Sequence, residues 1–202
     1  MRDDASINRW NPDARDLEAV LAWSRAQGLH WRSRRGAWVM EAASWVLAGL
    51  RIMPRRTFLE QYTTVIRHVA WAPWLDTSVK HPEDAWGRMV TVVHEVQHWI
   101  QWQRAPGWWF ALGYLVSPRA RARWEAEAYA CNQELAIWRG HAPPSAEALA
   151  GLLKAYGCGP GARAEAQALL EASEAKAMAR GPGQVEAVRR VLPLLTGLRK
   201  GG

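Results

Sequence analysis

The chain has 202 residues, enough for one domain with a buried core. Apolar residues make up 49% and charged residues 22%, which excludes a disordered chain, and two cysteines exclude a disulfide-built scaffold. A net charge of +7 and a pI near 10.0 make nucleic acid and acidic membrane surfaces candidate partners, although no nucleic-acid motif accompanies the charge.

The polar N-terminus has no apolar core of a signal peptide. In chain order, Asn11 is placed to cap a first helix with Pro12 at its first position. Leu17, Val20, Leu21 and Ser24 then recur at helical spacing, and Gly28 ends the run. A second helix is expected from about Ala37 to Arg51, stopped by Pro54. Residues 63–71 alternate and are rich in β-branched types, which predicts one strand closed by Pro73. His81-Pro82-Glu83-Asp84 opens a helix that runs to about Arg104. On it Trp86, Val90, Val93, Gln97 and Ile100 form a core-facing arc, with His94, His98 and Gln101 beside it. Residues 108–116 are a short apolar segment, and a helix follows from about Arg119 to Arg139. Three more helices are expected at about 145–156, 162–180 and 183–199. The apolar runs 42–50 and 108–116 fall short of the ~20 residues that span a bilayer. No transmembrane segment is therefore expected, and a soluble cytoplasmic protein is the expectation.

Tryptophan is abundant, 14 against 4 Tyr and 2 Phe, and reads as core and rim packing. The basic runs Arg32, Arg34, Arg35, then Arg51, Arg55, Arg56, then Arg119, Arg121, Arg123 read as solvated surface. Cys131 reads as a small core residue, and His30, His81 and His141 as surface-loop histidines.

The chemistry lies in His94-Glu95-Val96-Gln97-His98. Histidines four apart on a helix stand on one face, one turn apart, and can share one Zn²⁺. Glu95, about 100° further round, is placed to act on a water rather than to bind the metal. A catalytic zinc needs a third protein ligand from a separate segment. The stretch RARWEAEAYACNQE, Arg121 to Glu134, offers Glu125 and Glu127. They point about 200° apart on a helix, so at most one faces the histidines. Gln101 is a candidate to orient a histidine or a substrate amide. Tyr129 or Tyr114 is a candidate donor to an oxyanion. His68 is placed to flank the cleft from the strand.

His94-Glu95-Val96-Gln97-His98 followed by a helix with E-x-E-A resembles the gluzincin type of zincin metallopeptidase. It is similar to the membrane-linked HtpX type and the repressor-cleaving ImmA/IrrE type, whose glutamate helix reads E-x-x-A-[D/N]. The form H-E-x-x-H-x-x-Q, ending at Gln101, also resembles small zincin-like proteins of bacteria and phages. The resemblance covers about residues 63–134. It implies zinc, one per chain, held by His94, His98 and Glu125, with Glu127 the alternative and Glu95 the general base. Tyr129 stands where those families carry Asp or Asn. The implied fold is α+β and mostly helical. An edge strand at about 63–71 lies above the active-site helix, and a glutamate helix follows. Residues 1–142 would form the zincin-like domain, with the helical segment 143–202 packed on it. The implied activity is zinc-dependent hydrolysis of a peptide or protein substrate. A zincin-fold protein that binds without cutting is one alternative, and a basic nucleic-acid-associated protein is another.

Overall fold

Asp13, not Asn11, caps the first helix, α1 (Ala14–Ala26). Its carboxylate accepts from the amides of Arg15 and Asp16, and Asp16 returns a bond to the Asp13 amide. Leu17, Val20, Leu21 and Ser24 are the buried face of α1, as their spacing implies. The computed structural model describes residues 10–49, 53–104 and 107–201.

After α1 come β1 (His30–Ser33), α2 (Trp38–Gly49) and α3 (Arg55–Gln61). His30 therefore lies in a strand rather than a loop. Arg51, the expected end of the second helix, lies outside the described residues. Two short strands follow, β2 (Thr64–Ile66) and β3 (Val69–Ala72). The single strand expected over 63–71 is thus a hairpin. Its chain reverses at Arg67-His68, where Arg67 adopts φ 56°. The β-branched residues flank the turn, and no Gly or Asn marks it, so the pattern reads as continuous. β3 pairs in parallel with β1 and antiparallel with β2, giving the order β1-β3-β2 with β2 at an edge. The exposed His68 occupies the turn, away from the cleft.

The remaining elements are the α-helices α4 (Pro82–Arg104), α5 (Gly107–Val116), α6 (Pro118–Arg139), α7 (Ala146–Leu152), α8 (Pro160–Arg180) and α9 (Glu186–Gly201), with short 3-10 turns at Pro73–Asp76 and Leu153–Tyr156. The architecture is α+β and mostly helical, with one small sheet among the described residues. None of the described helices is long and apolar enough to cross a membrane.

α4 is the central element. Val92 through His98 are all buried, so the expected single core-facing arc understates its burial. α1, α6 and α9 pack round it. One cluster of buried apolar side chains runs from Leu17 on α1, through Val92 and Val96 on α4 and Leu135 on α6, to Leu170 on α8 and Val191 on α9. Two buried polar groups tie the helices together. Gln97 donates to Glu127 on α6 and accepts from the Ala187 amide on α9, at 2.8 and 3.1 Å. Glu134 accepts from the amides of Gly183, Gln184 and Val185, at 2.6, 3.0 and 2.9 Å, and so satisfies the orphan donors ahead of α9.

Two arginines of the supposed basic surface are interior. Arg34 is buried, donates to the Phe58 carbonyl and to Thr64 Oγ1, and lies over the Phe58 ring. Burial lowers its pKa to about 10, opposed by the charge of Glu95. Arg121 is buried as well and donates to the Tyr114 carbonyl. Carbonyl and hydroxyl oxygens replace water at the terminal nitrogens of these two guanidinium groups, while the Nε of each is buried without a partner. Cys131 is fully buried, as a small core residue should be.

Candidate metal centre

Helical geometry alone brings His94 and His98 together: their rings meet edge to face, with centroids 4.9 Å apart. α6 crosses α4 so that Glu125 faces both. Glu125 Oε2 lies 3.8 Å from His94 Nε2, and Oε1 lies 3.6 Å from His98 Nε2. All three side chains are buried, and their ligand atoms lie within 4.8 Å of one another. Small residues make this approach possible. Ala122, Ala126 and Ala130 on α6 belong to the buried cluster that includes Val93 and Val96.

Glu127 points elsewhere. It accepts from Gln97, Gln101 and Arg104 and stands outside the three-residue cluster. Its contact with Gln101 nonetheless bears on the centre. Gln101 Nε2 donates to Glu127 and to the Trp124 carbonyl, both at 3.0 Å. Gln101 Oε1 must then accept, and it lies 2.8 Å from His98 Nδ1. His98 therefore carries a proton on Nδ1 when neutral, which leaves the Nε2 lone pair directed at Glu125.

The carboxylate of Glu125 is held from the other side by Tyr114, whose hydroxyl donates to Oε1 at 2.6 Å. Tyr114 is thereby engaged and is not a free oxyanion donor. It is the one hydroxyl-bearing side chain of α5, and that isolation was the available signal. α5 reaches this position because Gly113 has no Cβ: one built there would lie 2.6 Å from the Trp124 ring. Phe110 and Tyr114 both lie along that ring.

Glu125 Oε2 is buried and has no hydrogen-bond partner. A buried carboxylate oxygen in that condition is costly unless a cation completes it. Two imidazole nitrogens and one carboxylate oxygen are the donor set that suits a divalent transition metal, zinc foremost. The residues fit such an ion. Burial raises the Glu125 pKa, but the two imidazoles outweigh it and hold the carboxyl well below the usual range. Burial likewise lowers His98, but the Glu125 carboxylate outweighs it and raises the pKa to about 9.

Glu95 lines the same cavity as His94, His98 and Glu125. It is buried, and among the described residues no protein donor bonds its carboxylate. Burial raises its pKa, against the lowering effect of His94 and His98. The cavity measures about 330 Å³. Its lining includes the four residues just named and the apolar side chains of Val46, Leu47, Phe58, Phe110 and Leu115. Thr63 to Ile66, the edge strand and the residue before it, form one side.

Tyr129 packs edge-on against His94, with centroids 4.9 Å apart, and faces Tyr156. Asn132, two turns beyond Glu125, lines a second cavity of about 210 Å³ together with His94, Glu95 and Tyr129. Its Oδ1 is buried without a partner. Sequence reading missed Asn132; its seven-residue spacing from Glu125, which places both on one face of α6, was the signal.

Comparison with known protein families, with curated proteins and with solved structures finds no match for this chain.

Proposed function

We propose that this chain is a zinc-dependent peptide hydrolase of the zincin type, with His94, His98 and Glu125 as ligands. The observation that carries the proposal is the buried Glu125 carboxylate set against both imidazoles: its unpartnered Oε2 lies 3.8 Å from His94 Nε2 and its Oε1 3.6 Å from His98 Nε2. Zinc bound there would supply a Lewis acid that makes a water acidic and polarises a carbonyl.

The chain's own groups account for the rest. Glu95, unbonded and in the same cavity, takes a proton from the attacking water and returns it to the leaving amine. Its raised pKa brings the carboxyl closer to neutrality, which suits a group that must both accept and release a proton. Gln101 and Tyr114 orient His98 and Glu125. Among the described residues β2 pairs with a strand on one side only, and its other edge can add an extended substrate by backbone hydrogen bonds beside the cavity.

Metal content decides the proposal. About one zinc per chain is expected in the wild type and in Glu95→Gln and Glu127→Ala, and little in His94→Ala or Glu125→Ala. Cleavage of an unfolded protein should vanish in Glu95→Gln. A wild type that takes up no metal when offered zinc sinks the proposal. Metal without Glu95-dependent cleavage turns the centre into a binding site.

A further inference from the structure

α2 and α5 both line the cavity and leave large apolar side chains in solvent. On α2, Trp38 and Trp45 lie two turns apart on one side, 78% and 63% exposed. On α5, Trp108, Trp109 and Val116 are 60%, 54% and 67% exposed. Val46 of α2 and Leu115 of α5 are exposed and also line the cavity, so the apolar surface runs into the metal centre. Leu112 of α5 is exposed too, and the other large exposed apolar side chains among the described residues, Leu152, Leu169 and Met178, lie on α7 and α8.

A patch of this kind on a soluble surface marks a contact. Its chemistry selects the partner. α5 has no charged residue and α2 has only Glu41. Arginines bracket both helices. Arg35 precedes α2 and Arg119 follows α5, both exposed and without a carboxylate partner among the described residues; Arg55, 3.7 Å from the centre of the Trp45 ring, pairs with Glu41, and Arg104, ahead of α5, pairs with Glu127 and Glu186. With 12 and 10 residues, the helices measure about 18 and 15 Å at 1.5 Å per residue. That is roughly half the ~30 Å hydrocarbon thickness, so they can lie in a bilayer interface and cannot cross it. Exposed tryptophans flanked by the exposed Arg35 and Arg119, on short helices that together carry one carboxylate, match the interfacial zone of an anionic membrane. Nucleic acid would need the cations on the patch rather than around it.

We propose that the α2–α5 face docks on an anionic lipid bilayer, with the cavity mouth toward the lipid. On the peptidase reading, the substrate is then a polypeptide presented at the membrane surface; the docking itself does not depend on that reading.

The test is sedimentation of the full chain with phosphatidylcholine vesicles, with and without phosphatidylglycerol at roughly one lipid in three. Binding to the anionic vesicles is expected, with weaker binding to the neutral ones. Trp108→Ser with Trp109→Ser should weaken binding about tenfold or more, while Trp→Phe at both positions retains most of it. Leu169→Ser with Met178→Ser should leave it unchanged. Tryptophan quenching by brominated lipid, read on the wild type, needs no variant and should report insertion. Glu95→Gln should bind vesicles like the wild type whether or not Glu95 is a catalytic base, so the two proposals fail separately. Absence of vesicle binding by the wild type overturns the docking. So does a wild-type dimer in sedimentation that Trp108→Ser with Trp109→Ser dissociates, since a second copy would then cover the face.

Discussion

Tyr114 donates its hydroxyl to Oε1 of Glu125, the oxygen nearest His98, at 2.6 Å and leaves Oε2, buried and unbonded, toward His94. The bond fixes the carboxylate plane before any ion arrives. Tyr114→Phe should therefore keep the fold and lower zinc affinity by about tenfold, within the range typical of groups that orient ligands. Competition with a chromophoric chelator measures this. An unchanged affinity would show that packing of α5 alone holds Glu125.

Gln101 joins Glu127 to His98 and sets which ring nitrogen carries the proton. Gln101→Ala frees the imidazole to turn and to change tautomer. Zinc affinity should fall about 10- to 100-fold, with the ¹⁵N shifts of His98 moving away from the Nδ1-protonated pattern. A structural role alone would leave those shifts in place.

Metal uptake should depend on pH in a defined direction. Glu125 and its neighbours raise the His98 pKa to about 9 against the effect of burial, so the metal-free protein holds an imidazolium there at neutral pH. Binding through Nε2 displaces that proton. Apparent affinity should climb by about tenfold per pH unit as pH rises toward 9 and flatten above it. Calorimetry in buffers of different ionisation enthalpy should report about one proton released per metal at pH 7. Release near zero would contradict a charged His98.

Glu134 is fully buried and accepts three backbone amides ahead of α9. Glu134→Ala strands those donors away from water. A loss of about 2–4 kcal/mol is expected from urea unfolding, and Glu134→Gln should recover part of it. A loss below about 1 kcal/mol would mean that water replaces the carboxylate.

Arg67 carries φ 56° in the two-residue turn between β2 and β3. A side chain is disfavoured there by ~1–2 kcal/mol, and glycine loses some of that advantage through chain entropy. Arg67→Gly should therefore raise the urea midpoint slightly, by up to about 1 kcal/mol of stability. A lowered midpoint would point to a contact of the arginine itself.

The sequence by itself determined the local part of this protein. A period of 3.6 puts His94 and His98 on one face of α4, sets Glu125 and Glu127 on opposed faces of α6, and marks the buried side of α1. Those relations hold for an isolated helix. The tertiary structure decided which face meets which. It turned Glu125 rather than Glu127 toward the histidines, seated Tyr114 on Glu125 through Gly113 and Trp124, buried Arg34, and left Trp38, Trp45, Trp108 and Trp109 in solvent. It also split residues 63–71 into a hairpin, because β3 pairs with the distant β1 and needs β2 folded back on its other side. Periodicity records what shares a face along one element. The partner of that face is set by packing among segments far apart in the chain, which no local pattern contains.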